Sequence, residues 1–443
     1  MAQLIEPRTL RGFRDYIPSL MLPRERVLET ARRVYRSYGF APIDTPALEY
    51  AEVLLGKGGE ESDRLVYRFK DHGDRDVALR FDLTVPFARF SAQYLPKLGT
   101  PFKRYAMGPV WRGENTSAGR YREFWQCDFD TIGTTANAAD VEVVLVISDL
   151  FSALEIPNVQ IRVNNRLVLS GLLEHLGLAD KTVPLLRSLD KLPKIGPEKV
   201  AEEMVREAGV SADGAKDVLA LAQMAGSNTS VLDQVEAAFG SNPKVVEGIR
   251  RLREMLAVTT AVGVPEGRIK IDLSIARGLD YYTGSIYETF LNDLPAIGSV
   301  CSGGRYDNLA SLYTKQVLPG VGASLGVDRL LAAMEELEHP WLTGQSTPAD
   351  VLIIQFTAEK LSEYHRVAKD LRAAGISCEV YPEAKKPKAQ FEYADKRGFR
   401  LALIAGPDEL AKGVWKVKNL AKREESLVGL EDVVTAVKMA IRI

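Results

Sequence analysis

The 443-residue chain contains little cysteine and little histidine. Its three cysteines, Cys127, Cys301 and Cys378, lie far apart, and none of the four histidines has metal-ligand spacing from another histidine or a cysteine. This excludes a CxxC redox pair, and neither a zinc site nor a disulfide framework is expected. No run of about 18 apolar residues occurs, and the N-terminus is not a signal peptide. We therefore predict a cytoplasmic protein with no membrane partner.

The chain also lacks a strong excess of charge of either sign. It has 57 Lys and Arg against 59 Asp and Glu, so the whole chain shows no general preference for nucleic acid. Residues 349–443 differ slightly, because they carry 17 Lys and Arg against 14 Asp and Glu. This mildly basic end fits an RNA partner but does not predict one by itself.

Length and composition indicate a globular protein with several domains. Hydrophobic residues make up 46% and charged residues 26%, which are ordinary values. A chain of 443 residues exceeds one average core, so two or three domains are expected. Residues 166–264 show helical spacing, and residues 338–348 have the composition of a linker. Strands and helices alternate after the linker, which predicts a small mixed sheet covered by helices.

The chemistry of the chain is concentrated in the stretch Arg277-Gly-Leu-Asp-Tyr-Tyr282. Residues 268–275 before it and residues 285–290 after it read as strands. An arginine, a carboxylate and two tyrosines at a strand end can converge on a small molecule, although an ordinary hairpin with core tyrosines would show the same pattern. A second stretch, Gly303-Gly-Arg-Tyr-Asp307, combines the same residue types and favours a binding site.

Two further predicted strands, residues 104–112 and 121–132, flank a polar loop. In the second strand Gln126, Asp128 and Asp130 alternate with apolar residues, so their side chains share one face. Arginines lie at the loop ends, namely Arg112, Arg120 and Arg122. Guanidinium groups bind phosphates in fork geometry, while carboxylates and an amide hold an ammonium and a ring nitrogen. Taken together, these residues suggest a pocket with an anionic half and a cationic half, an arrangement apt for an amino acid and ATP.

Residues 77–90 predict a strand that leads into a helix. Asp82 and Thr84 fall at the junction on one strand face, and Thr84 is predicted to cap the helix ahead of Pro86. A purely structural alternative is that Asp82 caps the helix.

The stretches at residues 277–282 and 303–307 resemble the two signature motifs of the histidyl-tRNA synthetase family. Three further segments resemble, in the expected order, the motifs of class II aminoacyl-tRNA synthetases. They are a helix and strand at residues 23–46, the loop Arg112-Gly-Glu114, and a glycine-rich strand–helix junction at residues 319–334. The form Arg80-Phe-Asp-Leu-Thr-Val-Pro86 resembles the eukaryotic and archaeal members.

This resemblance spans the whole chain and implies an α+β architecture. An antiparallel-sheet catalytic domain would comprise residues 1–165 and 265–338, and a helical insertion would comprise residues 166–264. Residues 349–443 would form an α/β anticodon-binding domain. The resemblance also implies a homodimer.

The implied activity is formation of histidyl-adenylate from L-histidine and ATP with Mg²⁺, followed by transfer of histidine to the 3′ end of tRNA(His). The implied histidine-binding residues are Asp82, Thr84, Gln126, Asp130, Tyr281 and Tyr282. The implied ATP-binding residues are Arg112, Glu114, Arg120 and Arg329. Arg277 and Arg112 would be catalytic by stabilising charge, and no metal site built from protein side chains is implied.

Two other classes of function stay open at this point. A non-catalytic regulatory subunit of ATP phosphoribosyltransferase resembles the catalytic core, but such subunits usually lack the anticodon domain and have eroded motifs. An RNA-binding module without chemistry would leave the arginine, tyrosine and carboxylate set unexplained. The intact motifs and the C-terminal α/β segment favour the synthetase.

Overall fold

The computed structural model describes residues 4–55, 64–276 and 281–441. The chain divides into two compact units. The first comprises Met1–Arg14 and Val27–Leu337, and the second comprises Asp15–Arg26 and Glu338–Ile443.

The first unit is built on an eight-stranded sheet with a small three-stranded sheet beside it. In chain order the strands are β1 (Ala41–Pro42), β2 (Leu48–Tyr50), β3 (Arg68–Lys70), β4 (Asp76–Leu79), β5 (Phe102–Trp111), β6 (Glu123–Ile132), β7 (Val159–Asn165), β8 (Ile269–Ile271), β9 (Ser285–Leu291), β10 (Cys301–Tyr306) and β11 (Gly320–Gly326). The large sheet has the order β1-β5-β6-β11-β10-β9-β7-β8, and the small one the order β2-β4-β3. In the large sheet the outermost pairs, β1 with β5 and β7 with β8, are parallel, and the other pairs between described strands are antiparallel.

The strands on either side of the Arg277 stretch do not form a hairpin. β7 lies between β8 and β9, parallel to the first and antiparallel to the second. β8 is also shorter than the predicted strand at residues 268–275, since it covers only three residues. The hairpin alternative is therefore wrong.

The helices described in this part of the chain begin with α1 (Pro18–Ser37), which starts five residues before the predicted Pro23. They continue with α2 (Ala51–Leu54), α3 (Thr84–Leu98), α4 (Asn137–Ala153), α5 (Arg166–His175), α6 (Thr182–Leu189), α7 (Leu192–Ala208), α8 (Ala212–Ala222), α9 (Asn228–Phe239), α10 (Pro243–Ala261) and α11 (Val327–Glu336). We call α5 to α10 the helical segment. It falls within the predicted insertion at residues 166–264, whose status as a separate domain stays a prediction. Across the described residues, no helix is both long and apolar enough to span a membrane.

One face of the large sheet is covered by α1 and α4. The ring of Tyr35 in α1 packs on Phe129 of β6 at 4.9 Å, and its hydroxyl donates to the carbonyl of Cys127. On α4, the carbonyl of Asp140 accepts from the hydroxyl of Tyr287 in β9. Because side chains alternate along a strand, the polar residues of β6 lie on the other face.

The second unit is a smaller mixed sheet covered by helices, as predicted. Its strands are β12 (Val351–Ile353), β13 (Cys378–Val380), β14 (Leu401–Ile404), β15 (Val414–Asn419) and β16 (Glu425–Gly429), in the order β13-β12-β14-β15-β16. Its helices are α12 (Leu361–Ala373), α13 (Pro387–Arg397), α14 (Pro407–Ala411) and α15 (Val433–Ile441). The unit has its own apolar core, which includes Ile353, Tyr364, Trp415 and Val437. The sequence did not predict β16.

The predicted linker is packed within this second unit. Trp341 and Thr347 are buried, and the guanidinium group of Arg26 lies 3.9 Å from the centre of the Trp341 ring. The start of α1 therefore packs with residues whose composition suggested a loose connection.

Candidate active site

Four adjacent strands, β5, β6, β11 and β10, place polar side chains and glycines on one face of the large sheet. This is the face turned away from α1 and α4. The β5–β6 register sets Arg104 opposite Asp130, and the β6–β11 register sets Gly322 opposite Asp130. A Cβ atom at Gly322 would lie 2.3 Å from Oδ1 of Asp130, and one at Gly304 would lie 2.9 Å from the Tyr282 ring. The glycines of β10 and β11 are therefore needed so that these side chains can lie flat on the sheet.

Asp130 is the most strongly held carboxylate of the site. The hydroxyl of Tyr306 donates to its Oδ1 at 2.6 Å, and Nη2 of Arg104 lies 2.7 Å from its Oδ2. Arg104 is fully buried, donates to the carbonyl of Leu83 and lies over the Phe87 ring. Burial raises the pKa of Asp130, while Arg104 and the Tyr306 hydroxyl act to lower it.

Three buried acceptor oxygens near Asp130 have no hydrogen-bond partner among the described residues. They are Oδ2 of Asp82, Oδ1 of Asp128 and Oε1 of Gln126. Burial raises the pKa of Asp82 to about 6 and that of Asp128 to about 7, although Arg104 opposes both shifts. Unpaired buried acceptors are costly, and a ligand with several N–H donors and a positive charge would satisfy all three.

The two tyrosines of the signature stretch lie against this carboxylate group. The rings of Tyr281 and Tyr282 meet edge to face at 5.1 Å, and the Tyr281 ring lies 6.0 Å from that of Tyr306. The pKa of Tyr282 is raised by burial and by the charges of Asp130, Asp128 and Asp82. The phenol therefore stays protonated at neutral pH and can donate a hydrogen bond.

Thr84 is not the cap that the sequence predicted. It is the first residue of α3, Leu83 occupies the N-cap position, and Oδ1 of Asp82 accepts from the backbone N–H of Val85 at 3.0 Å. Oδ1 of Asp82 thus caps the helix, while Oδ2 is available to a ligand in the site. The prediction that Asp82 and Thr84 share a strand face is wrong, because β4 ends at Leu79.

The cationic part of the site is a cavity of about 120 Å³ that begins at Gln126. Nε of Arg112 donates to the carbonyl of Phe81 at 2.9 Å, and its guanidinium group lies over the Phe124 ring. Arg329 donates to the carbonyl of Ser299 at 2.6 Å. The further lining residues are Glu114, Gly119, Arg120, Tyr121, Val300, Ser302, Ser324, Gly326 and Asp328. The four predicted ATP-binding residues therefore line one cavity, although Glu114 and Arg120 are ion-paired to each other.

Two other arginines of the motifs, Arg305 and Arg122, stabilise the structure around the site through contacts with other parts of the chain. Arg305 forms a buried ion pair with Asp140 of α4 and donates to the carbonyl of Thr134, on the face opposite the site. Arg122 donates to the carbonyl of Glu114 and holds the loop. Arg277, which was predicted to be catalytic, lies outside the described residues.

Sequence reasoning missed three residues that belong to the site. Asp128 alternates with Gln126 and Asp130, so its place on their face was visible in the sequence. Tyr306 lies within the second signature stretch, but only the strand register shows that its hydroxyl reaches Asp130. Arg104 had no local signal, because its partner is 26 residues away in the next strand.

Comparisons with known proteins agree with this geometry. A family model described as Histidyl-tRNA synthetase matches residues 12–330, and one described as Anticodon binding domain matches residues 350–439. A histidine–tRNA ligase of Rhodopirellula baltica is 58% identical over 421 residues, which are 95% of both chains. The crystal structure of histidyl-tRNA synthetase from Nostoc sp. PCC 7120 has a TM-score of 0.89 at 34% identity and covers 98% of this chain and 100% of that one.

A solved structure also relates to the regulatory alternative. The ATP phosphoribosyltransferase regulatory subunit/histidyl-tRNA synthetase from Bacillus halodurans C has a TM-score of 0.74 at 21% identity, and covers 88% of this chain and 97% of that one. At this identity the likeness shows the fold alone. The far higher identity to a ligase favours the synthetase interpretation.

The predicted class II synthetase fold with a C-terminal anticodon-binding α/β domain is confirmed by these matches. The relatives are bacterial, so they do not support the eukaryotic or archaeal interpretation of residues 80–86. The family model covers most of the chain, and a relative is identical at more than half of the aligned positions. The chain therefore belongs to the histidyl-tRNA synthetase family.

Proposed function

We propose that this chain is a histidine–tRNA ligase, which activates L-histidine with ATP and transfers histidine to the 3′ end of tRNA(His). One observation carries the proposal. Gln126 shares the buried face of β6 with Asp128 and Asp130, and it also lines the cavity formed with Arg112, Arg120 and Arg329. An amino acid bound in the pocket would thus present its carboxylate to a nucleotide bound by the arginines.

The α-ammonium group of histidine fits the three unpaired oxygens of Asp82, Gln126 and Asp128. An ammonium group has three N–H donors and a positive charge, which matches two carboxylates and an amide oxygen. The hydroxyl of Thr84 is proposed to assist at the same end. A bound cation lowers the pKa of nearby carboxyl groups, so we expect Asp82 and Asp128 to lose any bound proton when histidine binds.

The imidazole ring is proposed to lie between Asp130 and Tyr282, with Tyr281 packed beside it. The carboxylate would accept from one ring nitrogen and the tyrosine hydroxyl would donate to the other. Asp130 is suited to this because Arg104 and Tyr306 fix its orientation. A site that hydrogen-bonds a polar side chain discriminates against ligands that leave its groups unpaired by about 10⁴–10⁵.

Adenylate formation needs no protein nucleophile. The carboxylate oxygen of histidine attacks the α-phosphorus of ATP, and the bond to the bridging oxygen breaks as pyrophosphate leaves with that electron pair. Arg112 is proposed to contact both the carboxylate and the α-phosphate, and Arg120 and Arg329 to bind the other phosphates, with Glu114 orienting Arg120. Mg²⁺ comes as the complex with ATP and offsets phosphate charge. Arg277 is assigned to the attacked phosphate from the family motif alone.

We also propose that the chain acts as a homodimer in the cytoplasm, where tRNA is charged for translation. Exposed apolar side chains support a partner surface on the three-stranded sheet. Tyr50 and Phe69 flank Val77 from the two neighbouring strands, and about half of each side chain is exposed. Neighbouring exposed apolar side chains of this kind are typical of a surface that contacts another protein.

Removing residues 348–443, which form most of the second unit, is expected to separate adenylate formation from tRNA charging. A chain that ends at Thr347 keeps every described residue proposed for adenylate formation. Histidine-dependent ATP–pyrophosphate exchange should stay within a few-fold of the full chain. The kcat/KM for charging tRNA should fall by about 10²–10⁴, because one of two linked binding modules is lost. Both rates are measured on the same preparations.

Circular dichroism and mass serve as controls, since Asp15–Arg26 pack in the second unit and lose partners in the truncation. A folded truncation that charges tRNA as well as the full chain would show that residues 349–443 do not recognise tRNA.

A further inference from the structure

A single side chain from the helical segment occupies the outer edge of β8. β8 is the last strand of the large sheet and pairs with β7 on its inner side only. On the outer side, Nδ2 of Asn228 donates to the carbonyl of Ile269 at 2.9 Å, and its Oδ1 accepts from the N–H of Ile271 at 2.8 Å. The carboxamide thus makes the two hydrogen bonds that another strand would make.

On its inner side, the chain of β8 forms backbone hydrogen bonds with β7. Ile161 donates to the carbonyl of Arg268, and Asp272 donates to the carbonyl of Val163. Successive residues of a strand direct their peptide groups to opposite sides, so those of Ile269 and Ile271 point outward. Without Asn228, the carbonyl of Ile269 and the N–H of Ile271 would have to form these hydrogen bonds with water.

The position of the Asn228 carboxamide is set by a helix. Asn228 is the first residue of α9, and the hydroxyl oxygen of Ser227 caps that helix by accepting from the N–H of Ser230. α9 is anchored by three buried apolar side chains, Val231, Leu232 and Val235. A rigid element therefore holds β8 from the outside.

The chain that leaves β8 leads directly to the Arg277 stretch. Arg162 donates to Oδ2 of Asp272 at 3.1 Å, and Nδ2 of Asn164 donates to the carbonyl of Ile275 at 2.9 Å. Both come from β7 and hold residues 272–276 from the sheet side. The Asn228 carboxamide holds the residues just before these, Ile269 and Ile271, from the side of the helical segment.

We propose that Asn228 is a positioning residue for adenylate formation, because it ties β8 to the helical segment and so fixes residues 269–276, the described chain that precedes Arg277 in the sequence. The inference rests on the proposed function in one respect, namely that Arg277 acts at the attacked phosphate. A misplacement of about 1 Å far from the reacting atoms can cost about 10²-fold in rate. A small shift of β8 is therefore enough to lower turnover without altering the histidine pocket.

The test is Asn228→Ala in the full chain. We expect kcat for histidine-dependent ATP–pyrophosphate exchange to fall about tenfold, with KM for histidine and ATP changed less than about twofold, because an interaction that acts only on turnover is lost. The matched control is Asn242→Ala. Asn242 caps α10, another helix of the helical segment, by accepting from the N–H groups of Lys244 and Val245. Its Nδ2 donates to Glu174 at 3.3 Å, so these hydrogen bonds do not reach β8. Its kcat should stay near that of the wild type.

A nearly isosteric variant distinguishes positioning from packing. Asn228→Asp keeps the acceptor for Ile271 but places a carboxylate oxygen against the carbonyl of Ile269. Its kcat should fall at least as far as that of Asn228→Ala, whereas a residue that only fills space would tolerate the change.

Amide hydrogen exchange of a peptide spanning residues 266–276 tests the tie without any substrate. We expect faster exchange in Asn228→Ala than in the wild type or Asn242→Ala. Unchanged exchange would overturn the tie, and faster exchange with wild-type kcat would overturn the positioning role. Wild-type protein with no histidine-dependent activity would refute the proposed function, while the hydrogen exchange would still decide whether Asn228 holds β8.

Discussion

Asp130→Asn is expected to lower the free energy of unfolding by about 3 kcal/mol, because it leaves a buried guanidinium group without its close partner. Arg104 is fully buried, and Asp130 is its ion-pair partner at 2.7 Å. The charges of Asp82 and Asp128 are close enough to affect Arg104, so the loss should fall at the lower end of the range for broken buried pairs. Urea unfolding at unchanged m-value measures the effect.

The same substitution should also raise KM for histidine by roughly 10–10²-fold, since a hydrogen bond to a charged group is lost. The double variant Arg104→Met/Asp130→Asn separates the two effects. Removing both charges should restore most of the stability, while histidine recognition stays impaired.

Asp140→Asn is the matched control, because Asp140 also forms a buried ion pair, with Arg305, on the opposite sheet face. It should lose stability and keep its KM for histidine. If Asp130→Asn bound histidine normally, Asp130 would be a structural partner of Arg104 and nothing more.

Arg112→Ala is expected to lower kcat of adenylate formation by about 10²–10³, as for a lost donor to developing charge, and also to raise KM for histidine, because Arg112 is proposed to contact the histidine carboxylate. The structure explains why Arg112 is suited to this role. Its Nε is held by the carbonyl of Phe81 and its guanidinium plane lies over Phe124, so the group is preorganised at the cavity. Arg112→Lys should not restore the rate, because a point charge lacks the planar fork.

Arg68→Ala provides the control for Arg112→Ala. Arg68 lies in the three-stranded sheet, where it is exposed and paired with Asp76, so the same charge is removed away from the site. Its exchange rate should equal that of the wild type. An Arg112→Ala variant with a comparable rate would exclude Arg112 from the chemistry.

The strands of the site illustrate what the sequence could predict. The alternation along β6 predicted correctly that Gln126, Asp128 and Asp130 share a face. It did not predict that this face is also buried, because the residues that cover it, Tyr281 and Tyr282, come from a distant part of the chain. Burial is what raises the pKa of these carboxyl groups and leaves their oxygens for a ligand.

Two errors in the predicted strands have physical explanations. In β8 a side chain competes for backbone hydrogen bonds, and in β16 the side chains are exposed. β8 ends early because Oδ1 of Asp272 accepts from the backbone N–H and the hydroxyl of Ser274, which favours a turn. β16 was missed because Glu425, Ser426 and Leu427 are exposed on an edge strand and show no apolar alternation.

The family motif identified residue types but not their directions. Gly303-Gly-Arg-Tyr-Asp307 was predicted only as a stretch that favours a binding site, but Arg305 and Tyr306 are adjacent in a strand and must point to opposite faces. Tyr306 reaches Asp130, and Arg305 reaches Asp140. Strand alternation alone predicts that only one of these two side chains can face the site.

ATP–pyrophosphate exchange measured with each of the twenty amino acids tests the central claim most directly. The proposed function predicts exchange with histidine and none above background with the others, because Asp130 and Tyr282 leave no unpaired group only when an imidazole is bound. Comparable exchange with glutamine or tyrosine, or no exchange with any amino acid, would contradict it.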